Sequence, residues 1–359
     1  MAKEQATNTR GLEAWREPVT DFAALEARWR AFEAAAAGSF FQSWTWTGCL
    51  AAARFSHPWL LRVTTDGREV ALGLLNRRST WWGGARLFLG ESGDPAWDAV
   101  FVEENGLLLA RETADDTEVI AAGLAALGGQ RVILSGVDAR HLAAAARRGG
   151  HARETRDAPF VDLAKARAAE GGFLAGRSAN TRYQLRRSAR SYATRGALSL
   201  RRAADVAEAE AFLDALAVLH QRSWTGRGKP GAFANPLFLR FHRELIARGH
   251  PRGEIDLLRV SAGGTVLGYL YNFLWRGAVA AYQSGFDFAA AGPHEKPGLT
   301  AHHLAIEHYA ALGAARYDFL AGAARYKSSL ADAARPMHWV VMGGWPGSWR
   351  GGKNRCRET

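Results

Sequence analysis

Tyr326 and Lys327 stand side by side just past a short apolar strand, Arg316–Leu320, and a glycine turn. Upstream, a glycine/proline loop beginning at Gly292 opens onto a helix that runs from Gly298 to Leu312. The first N–H groups of a helix have no partner inside it, so such a loop is a natural anion site. Its candidate donors are the N–H groups of Gly298, Leu299 and Thr300 with the ammonium of Lys296; read locally, an ordinary helix start with proline near the cap is the plainer account. A phenol and an ammonium just beyond the next strand point to group transfer from a phosphate-bearing cofactor.

Other reactive side chains carry two readings each. Trp224, Arg227, Lys229 and Phe233 place aromatics beside cations, which suits a sugar or an anionic acceptor. A solvated glycine-rich loop is the plainer account. Asp287 follows the strand Ala278–Gly285 and reads first as turn chemistry; its second reading is the base that deprotonates an acceptor amine. His302, His303 and His308 lack a second cluster at metal-ligand spacing, so no metal site is expected and they read as core or surface histidines. His294, in the loop, is a modest candidate base. Arg182, Arg186 and Arg190 recur every four residues as one basic stripe. A solvated face explains it better than a dedicated RNA, phosphate or lipid site.

Composition bounds the class. The chain has 359 residues, enough for two cores, with 48% hydrophobic and 23% charged residues. No apolar run reaches the roughly 18–20 residues that a membrane span needs. The polar start contains no apolar signal-peptide segment, and the two cysteines, Cys49 and Cys356, form no disulfide framework. A reducing, cytoplasmic setting is expected. The formal charge of +11 suits an acidic ligand, although an arginine- and alanine-rich composition accounts for it equally well.

The elements that must position these residues repeat. Leu60–Val63 and Leu257–Val260 both read LLRV, and each precedes a glycine turn and a second strand, a hairpin signal. In the second half the pattern predicts β-α-α-β-β-β-α-β-α-β. Its first helix spans Asp205–Ser223, with Asp205 as N-cap and Glu208 completing a capping box. Its second spans Pro236–Arg248 after Asn235, separated from the first by a non-helical loop Trp224–Phe233. The last strand is Met337–Met342. The first half gives helices near Asp21–Ala37, Thr45–Arg54, Asp116–Leu127 and Ala139–Arg148. Its strands are near Trp59–Thr65, Glu69–Asn76, Arg86–Gly90, Ala99–Glu103, Arg131–Ser135 and Pro159–Leu163. The expected division is a first domain at 15–164, a basic helical connector at 165–195, a second domain at 196–342 and a flexible tail at 343–359.

That order, twice over, resembles tandem GNAT-type acyltransferase domains of mixed α/β class. Within that superfamily it is similar to the CelD-like acetyltransferases, relatives of the Fem-type aminoacyltransferases. The similarity covers about Ser39–Met342. It rests on SFFQSWTWTGCL at Ser39–Leu50, NTRYQLRRSARSYATRG at Asn180–Gly196, HQRSWTGRGKPGAF at His220–Phe233 and, most specifically, PGLTAHHLAIEHYAALGAARYDFLAGAARYKSSL at Pro297–Leu330. The glycine-rich pyrophosphate fingerprint of ordinary GNAT enzymes is replaced here by residues 294–300, where only Gly298 matches and Pro297 removes a donor.

The resemblance implies acetyl-CoA or another acyl-CoA as co-substrate, and no metal. Tyr326 is implied as the acid that protonates the leaving thiolate, with Lys327 orienting an acidic acceptor or contacting phosphate. Gln283 and Ser284 sit on the strand whose free N–H groups polarise the thioester carbonyl. The loop of Trp224, Arg227, Lys229 and Phe233 walls the acceptor pocket. The implied acceptor is a small or sugar-like amine or hydroxyl, attacked directly in a ternary complex, in a setting of exopolysaccharide production. The first domain, whose matching loop Glu112–Glu118 is acidic, is implied to be non-catalytic. The alternatives are a Fem-type transferase using aminoacyl-tRNA and a non-catalytic component of polysaccharide assembly. Peripheral membrane contact remains open.

Overall fold

The computed structural model describes residues 4–7 (by backbone), 11–79, 84–100 and 102–343. The tail expected to be flexible lies outside them beyond Gly343, as does Cys356. By its contacts the chain divides into two compact units, one built from residues up to 156 together with the segment from 336, the other from 157–335.

In chain order the first unit contains β1 (Glu4–Thr7), β2 (Leu12–Pro18), α1 (Phe22–Ala35), β3 (Ala36–Ala37), α2 (Trp44–Arg54), β4 (Pro58–Thr65), β5 (Arg68–Ser79), β6 (Ala85–Leu89) and β7 (Leu108–Ala110). Then come α3 (Thr117–Ala125), β8 (Arg131–Val137), α4 (Ala139–Ala146) and the first part of β9 (His151–Asp162). The second unit holds the rest of β9, then α5 (Leu163–Ala168), α6 (Gly172–Ala175), α7 (Ala179–Ala193), β10 (Leu198–Arg202), α8 (Val206–Thr225), α9 (Pro236–Gly249), β11 (Ile255–Ala262), β12 (Thr265–Trp275), β13 (Ala278–Phe286), α10 (Pro297–Ala311), β14 (Arg316–Asp318) and α11 (Arg325–Leu330). The last strand, β15 (Ala333–Met342), lies in the first unit from Pro336 onward.

The two units share one plan. In the first, β2, β4, β5 and β6 form an antiparallel meander, β6 runs parallel to β8, and β15 closes the sheet antiparallel to β8. In the second, β10 to β13 form the meander, β13 runs parallel to β14, and β9 closes it antiparallel to β14. The LLRV repeat is part of this correspondence. Both copies enter the first strand of a hairpin, and both hairpins slip register directly after the motif's valine, at Val63/Thr64 and at Val260/Ser261. A bulge inserts one residue and increases local twist, so the repeat extends to backbone detail.

Local chemistry sets the helix starts as read. Asp205 accepts the Glu208 N–H and Asn235 accepts the Leu237 N–H ahead of Pro236, whereas Glu208 accepts from the Ala204 N–H, one residue before the cap, in place of the Asp205 N–H that the expected capping box requires. Three further expectations change. Ala99–Glu103 forms no strand in its described residues; 94–98 turn back on Asp94. Trp224 and Thr225 continue α8, and Ala232–Ala234 make a short 3-10 turn in the loop expected to be non-helical. The closing strands are exchanged: Phe160–Asp162 pairs with β14 of the second unit, while His338–Met342 pairs with β8 of the first. A short apolar strand carries no sequence mark of the edge it joins, because pairing is a tertiary matter.

The second core gathers Leu258, Leu270, Val279, Ala305, Ile306, Tyr309 and Tyr317 between the sheet and α10. Across β13, α8 passes so close that a Cβ on Gly285 would lie 2.3 Å from the Leu216 carbonyl oxygen. Only glycine lets the helix backbone approach the strand this closely.

Candidate active site

The site begins where two parallel strands part. β13 pairs with β14 only at Ala278–Ala280, opposite Arg316–Asp318, yet β13 continues to Phe286. Tyr282 is the extra residue where the β12–β13 register shifts. Beyond it the Asp287 N–H bonds the Leu267 carbonyl, which fixes the phase of the antiparallel ladder. Gln283 and Gly285 then exchange bonds with Tyr271 and Tyr269 on β12, and the N–H groups of Ser284 and Phe286 face the other, open edge. Of the two residues expected to polarise a carbonyl, Ser284 has its N–H toward the opening and Gln283 does not.

Helix α10 starts beside that opening. Thr300 N–H already bonds the Lys296 carbonyl, and its hydroxyl lies 2.8 Å from Ser188 Oγ. Thr300 is therefore committed to the fold, contrary to its expected place among the donors. Pro297 has no N–H, so Gly298 and Leu299 supply the helix-start donors without an intrahelical partner. Lys296, exposed, precedes them. A Cβ on Gly298 would come within 3.2 Å of the Phe286 ring, so the helix start is pressed against the end of β13. The loop before it is fastened to α7. Glu295, buried, accepts from the Gly292 N–H and the Arg195 guanidinium, and Lys296 N–H donates to Ser188 Oγ at 2.8 Å. Arg187 lies 2.7 Å from His294 Nε2. A guanidinium has only donors, so the His294 lone pair is engaged and its role as a base is weakened.

Past β14 the chain turns through Leu320, which holds a left-handed φ of +60°. Asp318 accepts the Leu320 N–H at 2.8 Å and the Arg335 guanidinium at 2.9 Å. The Lys327 ammonium donates to the carbonyls of Leu320 and Ala321, so its place is under this turn. Tyr326, half-buried, stacks on His302, with ring centroids 5.2 Å apart and planes 16° apart. The histidine, 2% exposed, also meets Phe286, Tyr317 and Phe319 edge-on. Burial, with a smaller push from the Lys327 ammonium, lowers its pKa to about 3.

On the far side of β13, the loop after α8 folds over His220. The imidazole stacks on Trp224, meets Phe233 edge-on and lies 3.1 Å from the Ser284 carbonyl oxygen through Nδ1. Its Nε2 receives the Ala232 N–H at 3.4 Å, so Nδ1 carries the proton. Burial holds the ring's pKa down at about 4. Lys229 sits 5.8 Å over the Trp224 ring, and Arg227 is exposed. Trp224, Lys229 and Phe233 are thus brought together around His220. Asp287 accepts the Ala290 N–H at 3.2 Å and lies 4.0 Å from Arg222, the turn chemistry read from sequence.

Residues 179–328 match the acetyltransferase (GNAT) domain family. The chain carries a GNAT acetyltransferase domain. No curated protein matches its sequence. Among solved structures, the crystal structure of FemX has a TM-score of 0.59 at 10% identity, covering 91% of this chain and 96% of that one. L-PGS from Bacillus licheniformis gives 0.55 at 13%, covering 88% and 91%. The C-terminal domain of a lysylphosphatidylglycerol synthetase from Agrobacterium fabrum gives 0.54 at 11%, covering 90% and 92%. At these identities the likeness concerns the fold, and it extends over both GNAT-like units.

Two residues of the GNAT domain escaped the sequence reading. In the sequence His220 stands only as part of the His220–Phe233 motif, and His302 reads as a core or surface histidine. The available signal for His302 was spacing: it stands four residues after Gly298, on the same helix face, and both contact Phe286. Among the described residues no cluster of His, Cys, Asp and Glu has metal-binding geometry, and no helix is long and apolar enough to cross a membrane.

Proposed function

We propose that the second unit transfers an acyl group, acetyl in the simplest case, from acyl-CoA to an amine or hydroxyl of a small or sugar-like acceptor. The observation that carries this reading is the early end of the β13–β14 pairing with the start of α10 set against it. The opening presents strand N–H groups to a carbonyl and helix-start N–H groups to a phosphate, within one GNAT domain. Gly298, Leu299 and Lys296 take the pyrophosphate. The Ser284 N–H polarises the thioester carbonyl. Tyr326 gives its proton to the departing thiolate, and Lys327 acts through the turn that delivers Tyr326. The acceptor lies against Trp224, Lys229 and Phe233, with Arg227 free to meet an anionic group. Asp287 takes the proton from the attacking amine. No nucleophilic serine or cysteine is involved, so the acceptor attacks directly.

The test is calorimetric titration of the protein with acetyl-CoA and CoA, repeated on Gly298→Glu. Micromolar binding that the variant loses supports the site. Absence of binding to folded protein moves the weight to the second reading, aminoacyl transfer from aminoacyl-tRNA. That reading is favoured by the fold shared with FemX over nearly the whole chain and by Arg186 and Arg190, exposed on α7. Arg182 is partly engaged with the Arg177 carbonyl. Competition by charged tRNA distinguishes the two. A chain that binds neither ligand would be a non-catalytic component, the polysaccharide-assembly role.

A further inference from the structure

His302 has one ring nitrogen satisfied and one left over. Nδ1 lies 2.9 Å from the Tyr317 hydroxyl. Tyr317 is fully buried and has no other hydrogen-bond partner among the described residues, so its O–H donates to Nδ1. The ring is neutral, and its single proton therefore sits on Nε2. That Nε2–H finds no acceptor among the described residues. A buried donor without a partner is costly, and native proteins keep few of them.

Its position suggests what completes it. The ring lies between Phe286, at the end of β13, and Phe319, just past β14, where the two strands have parted. The walls there are aromatic, which disfavours a phosphate and admits a neutral acceptor. The anion donors Gly298 and Leu299 stand one helical turn earlier on α10. The ring also stacks on Tyr326, the proposed donor to sulfur, and a thioester carries its carbonyl oxygen two bonds away from that sulfur.

We infer that the His302 Nε2–H donates a hydrogen bond to the carbonyl oxygen of the bound acyl thioester, alongside the β13 backbone. This rests on the acyl-CoA reading above. A neutral imidazole fixed by Tyr317 offers a donor already aimed where negative charge develops, and it keeps its proton through the reaction. Tyr317 is a positioning residue: it holds the tautomer.

The experiment is calorimetric titration of the full chain with acetyl-CoA and with CoA, which lacks the carbonyl. The proteins are the wild type, His302→Phe, His302→Gln, and the double variant His302→Phe with Tyr317→Phe. The double variant removes both members of the buried pair and serves if His302→Phe alone does not fold. The expected result is a roughly tenfold loss of acetyl-CoA affinity in the phenylalanine variants with CoA affinity unchanged, and recovery in His302→Gln, whose amide N–H can take the Nε2 position. Equal weakening of both ligands, or no weakening of either, overturns the assignment and leaves His302 a core residue with a bound water. Wild-type protein that binds neither ligand overturns the acyl-CoA reading itself, a result distinct from both.

Discussion

Ser188 of α7 caps α10 from outside: its hydroxyl accepts the Lys296 N–H at 2.8 Å and meets the Thr300 hydroxyl at the same distance. Lys296 precedes Pro297 and has no capping side chain of its own. The helix that offers the anion site is therefore ordered by a residue from the preceding helix. Ser188→Ala leaves the part-buried Lys296 N–H and the buried Thr300 hydroxyl without this partner, at about 1–2 kcal/mol. The urea midpoint should fall accordingly, and acetyl-CoA affinity with it. Unchanged affinity in a destabilised variant would separate the cap from the ligand site.

The turn that delivers Tyr326 is held from both ends, by Asp318 on the Leu320 N–H and by Lys327 on the Leu320 carbonyl. Asp318 is 1% exposed and also receives Arg335. Asp318→Ala should cost about 2–4 kcal/mol, since it removes a buried acceptor of the Arg335 guanidinium and releases a left-handed leucine. Asp318→Asn keeps an acceptor for the Leu320 N–H and should recover part of it. Denaturation curves of the two variants check the order.

Tyr326→Phe should lower kcat by about 10²–10⁴-fold if the phenol protonates the thiolate, with acetyl-CoA affinity retained. The Tyr–His ring stack survives this change, so stability should stay close to wild type. An unaltered kcat with an amine acceptor would remove Tyr326 from the chemistry and leave it as a packing residue.

In the first unit, Glu91 follows the end of β6 and accepts the Ser135 hydroxyl at 2.8 Å, across the equivalent parallel strand pair. Burial, then the nearby Asp98 carboxylate, pushes its pKa up to about 8. Below about pH 4.5 both folded and unfolded chains hold the proton, and the contribution of Glu91 is complete. As pH rises toward 8 the unfolded chain releases that proton and the folded chain does not, so stability falls. Thermal midpoints should decline from about pH 6 to pH 8.5 in the wild type. Glu91→Gln, neutral throughout, should flatten that decline; an identical slope in both would show that Glu91 ionises freely in the folded state.

Much of the second unit was legible because its signals are local. Asp205, Asn235 and Pro236 mark helix starts by chemistry confined to a few residues, and the LLRV hairpins announce themselves by alternation and a glycine turn. What stayed hidden depends on distant partners. Nothing near Thr300 says that Ser188 will claim its hydroxyl. Nothing near Lys327 says that its ammonium will turn back onto two carbonyls. Gln283 and Ser284 are adjacent, and only the phase of pairing with β12 decides which N–H faces the opening. His302 looked like core because it is core; its unused nitrogen appears only when Tyr317 is seen on the other one.

The exchanged closing strands bear on how the protein is made. Val340 and Met342 belong to the core of the first unit, although some 180 residues separate Arg156 from Pro336. At a synthesis rate of about 5–20 residues per second, the early unit waits roughly ten to forty seconds for its final strand. Through that interval the β8 edge stands open on the nascent chain, an invitation to chaperones or to a neighbouring copy. Splitting the gene between the halves would yield two fragments, each lacking an edge that the other carries.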